Sequence, residues 1–196
     1  MRSPISFPFA DQPDPHVDWN SFVCEVLRFP AYASTAVCSD ILGLANRYDP
    51  VPGRLVGDRD GRRNRVRLIP LEDGTAWLFD FMRKLFLDAN RRYQFDLAGF
   101  AEQLHAIEYQ AGDHIDWHLD CGARENSTRK LAATILLTHP DDFDGGDLSF
   151  CAMTELPSHG IGDAIVFPAF LGHRVEPVRR GTRTILAAWA HGSAFR

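Results

Sequence analysis

The sequence predicts a mainly β chain with flanking helices (α+β), a jelly roll or barrel covered on one outer face by amino-terminal helices. Three observations carry this. Residues 34–92 contain two stretches whose apolar side chains recur at helical spacing. From Glu102 onward, short apolar runs alternate with turn residues, the texture of successive strands. At 196 residues and 22.0 kDa, the chain is long enough for one well-buried domain and short for two. The expected organisation is a single domain over 1–196, with an arm at 1–33, a helical support region at 34–100 and a jelly-roll core at 101–192.

Residues 1–17 carry Pro4, Pro8, Pro13 and Pro15, which disfavour regular structure. A helix follows Ser34, where Val37, Ile41, Leu44 and Ala45 share a face and Ser34 or Thr35 can cap the free amides. Tyr48 to Gly53 ends it. Six arginines (Arg54, Arg59, Arg62, Arg63, Arg65 and Arg67) then lie among Gly57, Asp58, Asp60, Gly61 and Asn64. This reads as a solvated loop or as a basic lid over an acidic substrate, with a short strand at Val66, Leu68 and Leu71. A second helix spans about Thr75 to Arg92, its stripe formed by Leu78, Phe81, Met82, Leu85, Phe86 and Ala89. Strands are expected near 102–110, 114–120, 130–138, 147–151, 163–168, 173–178 and 182–191. Gly145-Gly146, Pro157 to Gly162 and Arg180-Gly181 punctuate them.

Composition excludes several classes. A hydrophobic share of 45% and a charged share of 24% are ordinary for a globular protein. No apolar run approaches the roughly 18 residues a membrane span requires, and the first residues lack the pattern of a secretory signal. A net charge of −5 disfavours nucleic acid as a partner. Cys24, Cys38, Cys121 and Cys151 form no CxxC pair and are expected as free thiols in a cytoplasmic protein. Cys121, directly after Asp120, is exposed to oxidation if the neighbouring chemistry misfires.

The chemistry concentrates in His118-Leu119-Asp120, His173 and Arg183. On a strand, residues two apart project to one face, so His118 and Asp120 can converge. His173, from a distant strand, completes a two-histidine, one-carboxylate set that leaves other positions of a divalent iron open. Arg183 lies in an apolar strand where an unpaired charge is costly. It shares a face there with Ile185, Ala187 and Trp189, and His173 shares one with Val175. A second pair, His114 and Asp116, lies four residues upstream, on the same strand face, and reads as rim or substrate-facing. His105, His139, His159 and His191 have no partners at ligand spacing and read as structural or solvent-facing.

Taken in order, Tyr109-x-x-Gly112, His118-x-Asp120, Gly145-Gly146-x-Leu148 and His173-x-Val175-x-Pro177-Val178-x-x-Gly181-x-Arg183 resemble the prolyl-4-hydroxylase-like branch of the iron(II)/2-oxoglutarate dioxygenases. The resemblance covers about residues 105–191 and implies a double-stranded β-helix. It implies Fe(II) on His118, Asp120 and His173, with 2-oxoglutarate and O2 as co-substrates and ascorbate as a stimulant. Arg183 would hold the far carboxylate of 2-oxoglutarate, Tyr109 would reach the co-substrate through its hydroxyl, Trp189 would stand beside the metal site, and Val175 is a further cofactor-binding candidate. The spacing from Tyr109 favours His118 and Asp120 over the upstream pair. The implied reaction is hydroxylation of an unactivated C–H bond of a small molecule, an amino acid or a peptidyl side chain such as proline, with succinate and CO2 as products. Halogenases of the family lack the carboxylate that stands here as Asp120, which favours hydroxylation. Ile115 departs from the family, where an aromatic residue is common.

Two other readings stay open on the sequence. A nucleobase or nucleic-acid demethylase of the same superfamily would carry a further arginine where this chain has Trp189. A non-catalytic jelly-roll binding module would have no use for the intact ligand set and Arg183. Oligomeric state is not legible.

Overall fold

The computed structural model describes residues 21–53, 61–151 and 160–194. Pro4, Pro8, Pro13, Pro15, Arg54, Gly57, Asp58, Arg59, Asp60 and His159 lie outside the described residues. The elements run β1 (Leu27–Phe29), α1 (Thr35–Ala45), β2 (Val51–Pro52), β3 (Arg62–Arg63), β4 (Arg65–Ile69), α2 (Ala76–Tyr93), β5 (Leu97–Gly99), β6 (Leu104–Gln110) and β7 (His114–His118). They continue with β8 (Arg129–Leu136), β9 (Phe143–Gly145), β10 (Leu148–Phe150), β11 (Ala164–Pro168), β12 (His173–Val175) and β13 (Val178–Gly192).

Both helices form where periodicity places them. Ser34 accepts a hydrogen bond from the Val37 amide and so caps α1, which buries Cys38, Ile41, Leu44 and Ala45. In α2, Leu78, Phe79, Met82, Leu85, Phe86, Ala89 and Tyr93 form the buried stripe, and Gln94 ends the helix in a left-handed conformation. Phe81, expected in the stripe, is only partly buried at its edge.

The sheets form a mainly antiparallel jelly roll. The larger has the order β1-β11-β8-β13-β6-β4-β2, with β5 and β9 also pairing with β13. The smaller has the order β10-β12-β7-β3. Strand alternation on β13 sorts the interior into two cores. Leu186, Ala188 and Ala190 pack with α1 and α2 on one side of the larger sheet. Ile185, Ala187 and Trp189 face the other way, toward Ile115, Val175, Phe150 and Phe167 between the sheets. This second core surrounds the site.

Several expectations need correction. Leu27–Phe29, assigned to the arm, is an edge strand paired with β11. Besides its helices and the expected short strand, found as β4, the support region contains β2, β3 and β5. Arg180-Gly181 does not end a strand: β13 runs unbroken through it for 15 residues, exchanging β9 for β6 as its partner. Gly181 makes this possible at φ +75, where a Cβ would collide with the Asp142 carbonyl oxygen. Leu71 lies beyond the end of β4 and is exposed.

Gly162 ties the segment just before α1 to the sheet. It has φ +79, donates to the Leu136 carbonyl and accepts from the Ala33 amide. A Cβ there would collide with the Ala33 carbonyl oxygen. Gly162→Ala should therefore cost at least about 1–3 kcal/mol from backbone strain alone. Its melting temperature should fall by about 2–4 °C per kcal/mol for a domain of this size.

Candidate active site

The site opens between the two sheets, and a register shift decides which histidine enters it. β12 pairs with β7 so that His173 faces His118 and Val175 faces Ile115. Two steps along β12 thus span three along β7, and β7 carries a bulge. Ile115 is buried against the interior core. Strict alternation from Ile115 would send His118 outward with His114 and Asp116. The extra residue reverses this, leaving Trp117 exposed and His118 lining the cavity. The expectation that the two His-x-Asp pairs share one face is therefore wrong, and the reason is local backbone geometry.

Asp120 arrives differently from the sequence argument as well. The strand ends at His118, and Asp120 sits in the turn beyond it. Its amide, like that of Cys121, donates to the Ala169 carbonyl at 2.9 Å. Arg129 Nη1 donates to its carbonyl at 3.2 Å. Asp120 is fixed by the backbone of the β11–β12 connection rather than by strand alternation.

The three side chains meet. His118 Nε2 lies 3.8 Å from Asp120 Oδ1, and His173 Nε2 lies 3.5 Å from Asp120 Oδ2. One ligand atom from each of the three falls within 4.8 Å of the others. The imidazoles are oriented alike: His118 Nδ1 lies 2.8 Å from the Asp116 carbonyl and His173 Nδ1 lies 2.9 Å from the Leu171 carbonyl. A carbonyl can only accept, so each Nδ1 carries the proton and each Nε2 offers a lone pair inward. Burial and the neighbouring His173 lower the His118 pKa, with Asp120 opposing them. That favours the neutral, ligating form. Phe167 packs its ring 4.7 Å from His173.

Arg183 lies in the same cavity, 4% exposed, with Nη1 buried and unpartnered. Among the described residues it makes no ion pair. Burial lowers its pKa, opposed by Tyr109 and Asp147. Its Cζ sits 5.6 Å from the Tyr109 ring. Gly146, at φ +71, leaves it room, since a Cβ there would lie 2.8 Å from Arg183 Cδ. The Gly145-Gly146 pair thus does more than turn the chain.

The cavity, about 510 Å³ including space open to solvent, is lined by His118, Asp120, His173, Arg183, Tyr109, Val175 and Trp189 together. Trp189 Nε1 is buried there without a partner. His114 and Asp116 lie outside this lining. The donor set suits a divalent iron, with two neutral nitrogens and one carboxylate. The unpaired guanidinium suits a bound carboxylate.

A network behind Trp189 was not anticipated. Arg129 lies with its Cζ 4.0 Å from the Trp189 ring and donates to Glu102 through Nε at 2.7 Å and through Nη2. His191 is buried, not solvent-facing, between Glu102 Oε1 at 2.9 Å and Thr128 Oγ1 at 2.8 Å. His105 packs edge-on against Trp189 at 4.9 Å. His139 caps a short turn by accepting from the Asp141 amide.

This network has an acid-sensitive signature. Burial drives the His105 pKa from 6.5 down to about 4. Burial raises that of Glu102, but hydrogen bonds from His191 and Arg129 outweigh it and bring the carboxyl from 4.5 down to about 2. Both groups bind protons more readily in the unfolded chain. Their stabilisation is complete above the unfolded values and is lost as pH falls through the folded ones. Urea midpoints should decline from pH about 6.5 downward, and Glu102→Gln should flatten the limb below about 4.5.

A profile of the 2OG-Fe(II) oxygenase superfamily matches residues 104–191. This span holds every residue of the ligand set and Arg183. This chain is 35% identical over 89 residues to a PKHD-type hydroxylase of Stutzerimonas stutzeri, covering 41% of this chain and 39% of the relative. It is 32% identical over 92 residues to the PKHD-type hydroxylase PiuC of Pseudomonas aeruginosa, covering 41% and 39%. These alignments span about two fifths of each relative's length. The fold is shared with a Pseudomonas putida prolyl-4-hydroxylase at 19% identity and TM-score 0.70, covering 87% of this chain and 94% of that one. It is also shared with the viral collagen prolyl hydroxylase of Paramecium Bursaria Chlorella virus-1 at 16% identity and TM-score 0.66, covering 86% and 96%.

Proposed function

We propose that this chain is a single-domain Fe(II)- and 2-oxoglutarate-dependent oxygenase that hydroxylates an unactivated C–H bond of a small molecule, an amino acid or a peptidyl side chain. The observation that carries this is the meeting, in one cavity, of His118, Asp120, His173 and the unpaired Arg183. The names of the PKHD-type and prolyl hydroxylase relatives support the direction of the chemistry.

His118 and His173 would hold Fe(II) through Nε2, their Nδ1 protons being committed to backbone carbonyls. Asp120 supplies one negative charge, which leaves the site positive toward an anionic co-substrate. Arg183 would hold the far carboxylate of 2-oxoglutarate, where a planar guanidinium can make two parallel bonds. Tyr109, beside it, offers a hydroxyl to the same anion, and Val175, Ile185, Ala187 and Trp189 keep the site dry. When bound, iron and 2-oxoglutarate supply the oxidation with O2, and ascorbate keeps the metal reduced.

The test is stoichiometric succinate formation from 2-oxoglutarate with Fe(II), ascorbate and O2, stimulated by the correct substrate. No succinate under any of these conditions would refute the reading. Among the described residues no helix is long and apolar enough to cross a membrane.

A further inference from the structure

The cavity holds one guanidinium more than this chemistry uses. Arg62, on β3, pairs with β7 directly opposite Ile115. Its side chain lines the same cavity as Ile115, His118, Asp120 and Arg183. Its neighbours are paired elsewhere: Arg63 with Asp113 at 3.3 Å, and Arg65 and Arg67 with Glu108 at 3.8 and 3.4 Å. Arg62 has no such carboxylate among the described residues. Its Nε donates to Asn64 Oδ1 at 3.2 Å, and no ion pair accompanies that bond. Burial lowers its pKa, with Tyr109 and Asp120 opposing.

Charge counting sharpens the point. The lining contributes Arg62 and Arg183 against a single carboxylate, Asp120. A divalent metal and a dianionic co-substrate add nothing net, so the filled site retains one positive charge. Inside low-dielectric walls such a charge is costly until an anion meets it. A guanidinium is suited to receive a carboxylate through parallel charge-assisted bonds.

We infer that the organic substrate carries a carboxylate and that Arg62 receives it, fixing which end of the molecule approaches the metal. This rests on the oxygenase reading above. The carboxylate belongs either to a free amino-acid-like acid or to a peptide, and the two sources are separable by experiment.

The experiment compares free amino acids, peptides with a free carboxyl terminus, and the matching primary amides. Succinate-coupled turnover is measured with Fe(II) and 2-oxoglutarate, and calorimetric binding is measured on the Zn(II)-loaded protein without O2. The acid should exceed its amide by at least about 30-fold in kcat/KM and in binding, the scale of one desolvated charge pair. Arg62→Gln should reduce that preference to about threefold or less, mainly through KM, and Arg62→Lys should restore part of it. Preference among free acids alone assigns the small-molecule source, and preference among peptides assigns the other. Loss of acid binding in Arg62→Gln without any succinate formation would keep the carboxylate site and remove the oxygenase reading. Equal handling of acids and amides by the wild-type protein would overturn the inference. So would an Arg62→Gln variant that weakened only the co-substrate and bound the acids as before.

Discussion

Asp120→Ala should abolish 2-oxoglutarate turnover and weaken Fe(II) binding by at least about 100-fold, since even outer-shell changes at metal sites cost 10- to 100-fold. The carboxylate is the lone anion of the ligand set, and its removal leaves two neutral imidazoles to hold a divalent ion. Its backbone partners, the Ala169 carbonyl and Arg129 Nη1, do not involve the side chain, so the turn should keep its shape. Asp116→Asn is the matched control: its side chain is exposed and faces away from the cavity, and only its backbone carbonyl touches His118. Metal content by mass spectrometry and the absorption spectrum of the Co(II) form read the site without relying on turnover. If Asp120→Ala bound metal and consumed 2-oxoglutarate like the wild type, the ligand assignment would be wrong.

Arg183→Met should separate binding from stability. Removing one partner of a desolvated charge pair costs roughly 2–5 kcal/mol, which corresponds to a loss of about 30-fold or more in 2-oxoglutarate affinity. The same change removes a buried, unpaired cation and fills its place with an apolar side chain of similar length. The ligand-free protein should therefore melt at the same temperature or higher. 2-Oxoglutarate should raise the melting temperature of the metal-loaded wild type and not that of the variant. A variant that melted well below the wild type would show that Arg183 supports the fold, against the absence of any ion pair to it.

The helices and the interior strands were legible because their patterns are long. The stripe of α2 and the alternation from Arg183 to Trp189 repeat often enough to identify a face. β2 and β3 span only two residues each, and strands that short are made by their partners rather than by local preference. β1 was hidden for the same reason. Continuity of β13 through Gly181 was missed because glycine marks a bend locally, whereas here it admits the Asp142 carbonyl at close range.

The site divides along similar lines. His118, Asp120, His173 and Arg183 were visible as spaced residue types. How they converge was not, because the bulge in β7 and the turn that carries Asp120 depend on pairing with β12 and contact with Ala169. Arg62 was counted in a basic run, and nothing in that run distinguishes the arginine that turns inward from those that pair with Asp113 and Glu108. Glu102, Arg129 and His191 lie far apart in sequence and meet only through the sheet. The one available hint was a lone histidine at the end of an apolar strand.

β13 gives one backbone two duties, with the cavity wall on one side and the helix-facing core on the other. Replacing Ile185 or Ala187 reshapes the chamber while leaving Leu186 and Ala188 seated, so substrate preference can drift by substitution. Adding or deleting a single residue within the strand would invert both faces at once. Changes in chain length among natural variants should therefore accumulate in the connecting loops and spare this strand.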